Sequence, residues 1–328
     1  MHPHVTTLAS PLATEAIWAT GTRNLFVWAA IAAFLATAAL ELTGRTRAAR
    51  TSGVAAWVVF GIFWGLMVPY FYFDAQSILE SALSLIGVPL SLYAAYLLYS
   101  GRDSLLILSR AVAMMGLLYL PAMTIPVVKT VLIESVARQA HFGMELLGYS
   151  PGIETGANGY QSRFAFEGYS TYIVLSCTGI GSISIFGGAI MAVRAPLARK
   201  AKAFAIAVSV IWVANLGRNV FVGLAAPLGW FDYPIFHAIT DTLAGEEMVT
   251  SFYVSHHLIS QTLSVVALVG ITLLIVRVLP ELFAVLDEIL FVLTGTEYDL
   301  QSELGPSAAS GGSDDAAVVE DAADPSDD

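Results

Sequence analysis

Long apolar stretches dominate the hydropathy pattern of this chain, and short polar connections separate them. An α-helix needs roughly 20 residues to cross about 30 Å of hydrocarbon, and seven stretches reach that length. They are predicted near residues 24–42, 53–73, 78–99, 104–125, 169–193, 202–226 and 250–279. The third is the least regular, because Glu80 lies near its start and Pro89 interrupts it. The pattern predicts an all-α integral membrane protein with about seven transmembrane helices.

The composition supports the same class. The chain is 56% hydrophobic and 12% charged, and its mean hydropathy is +0.71. A soluble domain carries about a quarter charged residues. With so few charges, much of the surface must face lipid rather than water. The N-terminus lacks the basic and short apolar regions of a cleaved signal peptide, so the first apolar stretch is expected to be retained.

The net charge of −11 is concentrated at the C-terminus. Residues 301–328 hold eight acidic residues and no basic one. The Ser, Gly, Ala and Asp content of this segment cannot bury a core. We therefore predict a polytopic membrane domain at 1–300 and a disordered acidic cytoplasmic tail at 301–328. Acidic tails suit a high-salt cytoplasm, which favours a halophilic source.

Basic residues cluster in alternate connections between the predicted spans. They are Arg45, Arg47, Arg50, Arg102, Arg110, Arg194, Arg199, Lys200, Lys202 and Arg277. The opposite connections carry acidic residues instead. Short cytoplasmic loops carry an excess of Lys and Arg, so the pattern predicts an outside N-terminus and a cytoplasmic C-terminus.

Two predicted outer connections, 126–168 and 227–249, are too long to be simple turns. The first begins with a partly amphipathic stretch and continues as a loop with a turn signal at Asn158-Gly159. Long loops of this kind are often functional. The two segments either cover an outward-facing site or merely join helices.

A few polar residues interrupt the last three apolar stretches. The chain's single cysteine, Cys177, excludes an intrachain disulfide. Arg218 lies well inside the sixth stretch, where a central Arg costs about 2.5–3.5 kcal/mol on insertion scales. His257 follows His256 near the start of the seventh. Ionisable residues inside a span are usually functional, so these positions are the candidate site.

The three candidates converge in depth if each stretch is helical. A rise of 1.5 Å per residue puts Cys177, Arg218 and His257 roughly 12–14 Å from the outer boundary. A cationic neighbour makes a thiolate available, Arg can stabilise that thiolate or a tetrahedral oxyanion, and His can move a proton. Asn215 shares a helix face with Arg218 and is expected to orient it, and Asn219 is adjacent.

With these residues the chain resembles the exosortase/archaeosortase family. The matching features are the segment Ser176-Cys177-Thr178-Gly179, the segment Asn215-Leu-Gly-Arg218, and a third polar residue further along at His257. The matching motifs fall within roughly 165–260. The resemblance implies that the membrane domain at 1–300 is catalytic.

The resemblance implies a membrane cysteine transpeptidase. Its substrate would be a C-terminal tripartite sorting signal: a Pro-Gly-Phe type motif, a transmembrane helix and a basic end. Cys177 would form an acyl-thioester, Arg218 would donate a proton or stabilise charge, and His257, with His256 as the alternate, would act as acid/base or transition-state stabiliser. Surface proteins such as an S-layer glycoprotein would then pass to a membrane phospholipid. No cofactor, metal ion or nucleic acid is expected, and the site is expected near the extracellular face of the cell membrane.

Two other functions are compatible with the sequence. A rhomboid-like intramembrane serine protease would use Ser182 or Ser184 with a histidine, although no Gly-x-Ser-Gly lies on a span. An anion transporter or channel would use Arg218 and His257 to bind its substrate. A zinc site is disfavoured, because the two histidines are adjacent and no His-Glu-x-x-His occurs.

Overall fold

The computed structural model describes residues 20–75, 77–245 and 248–304, and helices form most of it. The elements in chain order are α1 Thr20–Leu42, α2 Thr46–Pro69, α3 Ile78–Tyr99, α4 Leu106–Thr124, α5 Pro126–Leu146, β1 Gly152–Thr155, β2 Gln161–Phe166, β3 Tyr169–Tyr172, α6 Ile180–Ala192, α7 Leu197–Ala225, α8 Pro234–Leu243, α9 Thr250–Val276, α10 Phe283–Thr294 and α11 Leu300–Leu304. A π-helical turn, Tyr70–Asp74, extends α2, and a π-helical segment, Tyr253–Ser260, lies inside α9.

Six helical segments are long and apolar enough to cross a membrane, so the chain is a multi-pass membrane protein. They are Gly21–Leu42, Thr46–Asp74, Ile78–Tyr99, Asp103–Thr124, Leu197–Ala225 and Thr250–Val276. Each overlaps a predicted span, including the irregular third one. The count of seven is not confirmed among the described residues.

The predicted span at 169–193 does not form one continuous helix. Only Ile180–Ala192 is α-helical, and its 13 residues extend about 20 Å, short of a hydrocarbon core of about 30 Å. The residues before it are aromatic and β-branched, which favours a strand. They pair with β2 from Arg163↔Tyr172 to Phe166↔Tyr169. The stretch is apolar as predicted, but its first residues form a strand of a sheet rather than the start of a helix.

Close packing holds α1–α4 and α6 together around one core. Trp57 of α2 packs edge-on against Phe34 of α1, with ring centroids 5.1 Å apart. Its Nε1 donates to Ser109 Oγ of α4 at 2.9 Å. Gly188 of α6 lies so close to α4 that an added Cβ would come within 2.5 Å of the Ala111 carbonyl oxygen. Small residues at such contacts let membrane helices approach closely.

Ion pairs join the predicted inner connections at one end of the bundle. Arg110 of α4 pairs with Glu41 and also donates to the Ala192 carbonyl at the end of α6. The other pairs at this end are Arg50–Asp103, Arg102–Glu288, Arg102–Glu297 and Arg199–Glu281. The basic clusters therefore lie together, as the charge pattern requires, while the side of the membrane that they face stays a prediction.

The C-terminal helix α10 belongs to this end of the bundle. Its first residues, including Phe283 and Val285, are buried in the main core. Arg102 binds Glu288 of α10 and holds the pKa of Glu297 below its usual range by hydrogen bonding. The predicted disordered tail begins too early, because residues 301–304 are helical. The rest of that tail, 305–328, lies outside the described residues.

The outer segment 126–168 is more structured than the sequence indicates. It forms α5 and most of a three-stranded antiparallel sheet in the order β1-β2-β3. The all-α prediction is therefore incomplete. The predicted turn is confirmed, since Gly159 adopts a φ of +81° between β1 and β2. The sheet forms because β2 alternates, with Ser162 and Phe164 buried and Gln161 exposed.

The second outer segment, 227–249, is tied to the start of α9. His237 of α8 contacts Asp232 Oδ1 through Nε2 at 2.5 Å and Thr250 Oγ1 through Nδ1 at 2.8 Å. The backbone N–H of Phe231 donates to Ser251 Oγ at 3.0 Å. These contacts connect the segment that follows α7 to the helix that carries both candidate histidines.

Candidate active site

Cys177 lies in a short irregular segment between the sheet and α6. A single 3₁₀ turn, Leu175–Thr178, holds it, and the thiol is free and partly buried. The Thr178 hydroxyl donates back to the Leu175 carbonyl at 2.7 Å. Because the preceding residues form a strand, the depth obtained from a helical rise does not apply to Cys177.

Gly179 ends the 3₁₀ turn and begins the turn into α6. Its φ of +76° lies in the left-handed region, which favours glycine. An added Cβ would also come within 3.4 Å of both Asn215 Cγ and Ile211 Cγ2 on α7. The backbone angle therefore favours glycine after Ser-Cys-Thr, and α7 lies in van der Waals contact with this position.

The two candidate asparagines hold the backbone of Cys177. The side-chain amide of Asn215 donates to the Cys177 carbonyl oxygen at 2.7 Å. The amide of Asn219 donates to the same oxygen at 2.8 Å. The hydrogen bond of Asn215 thus goes to the cysteine, whereas its spacing on the helix had suggested a role in orienting Arg218.

Arg218 lies on the same turn of α7 and reaches α9. Its Nη2 is 3.2 Å from Nε2 of His256. A guanidinium has only donors, so the imidazole accepts this hydrogen bond and a neutral His256 carries its proton on Nδ1. Arg218 Nε is buried and has no hydrogen-bond partner among the described residues.

His257 was the histidine that the sequence favoured as the acid/base group. Its ring packs against that of His256, and the hydrogen bond of Arg218 goes to His256 instead. The two ring centroids are 4.6 Å apart, and that of His257 is 5.4 Å from Tyr253. Both histidines belong to the π-helical segment of α9. Short π-helical insertions occur frequently at functional sites. Nδ1 of each ring is buried without a partner in the described part of the chain.

Cys177 packs against a cluster of apolar side chains. α5, β2, α7 and the residue after β3 contribute to this buried cluster. Its fully buried members are Ile133, Val136, Ala137, Ala140, Met144, Phe164, Ile173 and Leu224. On β3, burial raises the pKa of the Tyr169 phenol above its usual value, so it stays protonated. The buried residues of α5 and β2 therefore form an apolar support for the cysteine turn.

A cavity of about 660 Å³ opens between α6, α7 and α9. Ser176, Asn215 and Arg218 line it, together with apolar side chains such as Phe186 and Ile271. The cavity thus reaches the residue next to Cys177 and also the guanidinium. Space for a substrate exists beside the site.

The two serine alternatives differ in their surroundings. Ser182 lines the same cavity, and Ser184 is 1% exposed with a hydroxyl that has no partner among the described residues. Within the described ranges, no hydrogen bond links either hydroxyl to a histidine. The described residues also contain no group of three or more His, Cys, Asp or Glu side chains that could hold a metal ion.

Comparison with known proteins identifies the family. The family model of the transmembrane exosortase, Exosortase_EpsH, matches residues 18–245. This chain belongs to the exosortase family. The matched region contains Cys177, Asn215, Arg218 and Asn219, and it ends before His256.

Two curated relatives of this exosortase-family protein are named archaeosortase A. The one from Haloferax volcanii is 41% identical over 297 residues, which cover 86% of this chain and 97% of the relative. The one from Natronomonas pharaonis is 39% identical over 279 residues, which cover 82% and 89%. Both relatives come from halophiles. No solved structure matches this chain.

Proposed function

We propose that this exosortase-family protein is a membrane-embedded cysteine transpeptidase of the archaeosortase type. It would cleave a Pro-Gly-Phe type C-terminal sorting signal and pass the new C-terminus to a membrane phospholipid. The relatives' name, archaeosortase A, supports this reaction class. A surface protein such as an S-layer glycoprotein is the proposed substrate.

One observation carries the proposal. A single turn of α7 contacts the backbone of Cys177 through Asn215 and Asn219 and contacts His256 through Arg218. One helical turn thereby contacts the backbone of the proposed nucleophile and, through its guanidinium, the proposed acid/base group. That combination is what acyl transfer through a thioester requires.

The proposed acylation step uses each group once. The Cys177 thiolate attacks the carbonyl carbon of the scissile peptide bond and forms a tetrahedral oxyanion. Arg218 stabilises that charge, because its fixed cationic donors act in a water-poor site. Neutral His256, which accepted the proton of the Cys177 thiol when the thiolate formed, gives that proton to the leaving amine as the C–N bond breaks, which leaves an acyl-thioester on Cys177.

The transfer step reverses the proton movement. A nucleophilic group of the lipid attacks the thioester carbonyl while the neutral His256 accepts its proton. The C–S bond then breaks, and the thiolate returns. A site beside a cavity in the membrane domain suits this step, since both the signal's helix and the lipid reside in the bilayer.

The test is cleavage of a membrane-anchored reporter that carries the sorting signal. Cys177→Ala and Cys177→Ser are expected to abolish cleavage while the protein remains folded, because a hydroxyl is a far weaker nucleophile than a thiolate. Ser182→Ala and Ser184→Ala are the matched controls and should cleave normally. Normal cleavage by Cys177→Ser would contradict the proposal, and loss of cleavage in a serine variant alone would favour the rhomboid-like alternative.

A further inference from the structure

We infer that Asn215 and Asn219 are positioning residues that fix Cys177 relative to Arg218. The inference rests on the proposed function and deepens it. It assigns the two asparagines to the nucleophile's backbone. Among the described residues, the hydrogen bond of each amide goes to the Cys177 carbonyl oxygen, so each would act through the cysteine.

The hydrogen bonds themselves are the first support. Two amides, four residues apart on α7, donate to one carbonyl oxygen at 2.7 and 2.8 Å. Asn219 is only 5% exposed, so little water is available to replace the bond. A carbonyl oxygen has two lone pairs, and this one is fully used by side chains of a different helix.

The second support for the inference is that Arg218 lies between the two asparagines in the sequence of α7. Residues 215 to 219 form little more than one helical turn, so the Cα atoms of Arg218 and of both asparagines are fixed relative to one another. Fixing the carbonyl of Cys177 fixes the adjacent Cα, and the thiol can then occupy only its staggered rotamers. The α7 turn therefore limits where the sulfur can lie with respect to Arg218.

The local backbone explains why these two hydrogen bonds are needed to hold Cys177. A cysteine inside a regular helix would be held by the helix's own hydrogen bonds. Cys177 instead sits in one 3₁₀ turn between a strand and a left-handed glycine. Within that segment, Cys177 N–H donates to the Val174 carbonyl at 2.9 Å. The α7 amides supply the tertiary restraint that this short turn lacks.

The test compares the protein with Asn219→Ala and Asn219→Asp in proteoliposomes, using the folded fraction isolated by size-exclusion chromatography. kcat and KM for reporter cleavage are measured across a pH series and expressed as ratios to the unsubstituted protein. Asn219→Asp is informative because a protonated carboxyl can still donate to the carbonyl, whereas a carboxylate cannot. Asn158→Asp, on the exposed outer turn, is the matched control.

The expected result separates positioning from folding. Asn219→Ala should lower kcat about tenfold at every pH, the effect of losing one hydrogen bond, with little change in KM. For Asn219→Asp, the kcat ratio should fall as the pH rises and the donor is lost. Asn158→Asp should keep a ratio near one throughout.

Two results would overturn the inference. One is a folded Asn219→Ala with the kcat of the unsubstituted protein. The other is an Asn219→Asp ratio that does not change with pH, which also decides the matter if the alanine variant fails to fold. Because Cys177→Ala is measured alongside, undiminished cleavage by that variant would instead mark failure of the proposed function.

Discussion

At the scale of single residues, the unused donor of Arg218 is the most informative feature. Its Nη2 contacts His256, but its Nε is buried without a partner among the described residues. A buried unpaired donor costs about 1–3 kcal/mol. Such a group is retained when it serves a transient acceptor, and a tetrahedral oxyanion at Cys177 is the acceptor that we propose.

The two adjacent histidines provide a matched pair for substitution. His256→Gln keeps an acceptor for Arg218 but cannot carry a proton, so kcat should fall by about 100-fold or more, as for loss of a general acid/base. His257→Gln should reduce kcat far less, since its ring has no hydrogen bond to Arg218 among the described residues. Steady-state cleavage of the reporter measures both. Equal losses, or a larger loss for His257→Gln, would contradict the assignment of His256.

The sequence predicted the residues of this candidate site but not the contacts that they make. Cys177, Arg218 and the histidines stood out because each is polar or reactive within an apolar stretch. Helical spacing shows only which residues share a face, so it linked Asn215 to Arg218. The actual partner, the Cys177 carbonyl, belongs to a turn 38 residues away in the chain, and no local pattern encodes that contact.

At the scale of elements, α6 depends on glycine for its contact with α4. An added Cβ at Gly188 would come within 2.5 Å of the Ala111 carbonyl oxygen and 2.7 Å of the Met115 nitrogen. Both are backbone atoms and cannot move aside as a side chain would. The helix that follows the cysteine turn therefore packs directly on the backbone of α4.

Gly188→Ala should destabilise the protein by about 1–3 kcal/mol through overpacking. Gly270→Ala on α9 is the matched control, since an added Cβ there meets no atom within 4 Å, and it should leave stability unchanged or slightly higher. Thermal unfolding in detergent compares the two. Equal melting temperatures for both variants would show that the close contact between α4 and α6 is absent.

Within the described residues, hydropathy located the six long spans but misjudged the stretch at 169–193. A continuous apolar run does not distinguish a helix from a buried strand that leads into one. Tyr169–Tyr172 joins a sheet because β2 offers it hydrogen-bond partners, a tertiary effect that lies outside the window of the pattern. The strands within the outer segment 126–168 were missed for a similar reason, because strand pairing is a tertiary effect.

At the scale of the whole molecule, charge separates the two ends of the bundle. The predicted inner connections meet in one set of ion pairs, including Arg110–Glu41 and Arg102–Glu288. The sheet and α8 belong to the segments predicted at the opposite end. The sequence could predict this grouping because the positive-inside rule acts on short loops, whereas the ion-pair partners depend on the packed structure.

The orientation can be tested by labelling single cysteines in a Cys177→Ala background. Asn158→Cys is on the outer sheet turn, and Thr43→Cys follows α1 at the opposite end; both positions are exposed. A membrane-impermeant maleimide should label the first in intact cells and the second only after lysis. The reverse pattern would mean that the protein is inserted with its candidate site near the cytoplasmic face.

The central claim is that Cys177 carries the acyl group between cleavage and transfer. The most direct measurement is mass spectrometry of the protein quenched rapidly with acid while it turns over its reporter. We predict a hydroxylamine-sensitive adduct on Cys177. Its mass should equal that of the substrate fragment that ends at the cleavage site, and Cys177→Ala should carry no adduct. An acyl group on Ser182 or Ser184, or continued cleavage by Cys177→Ala, would contradict the account.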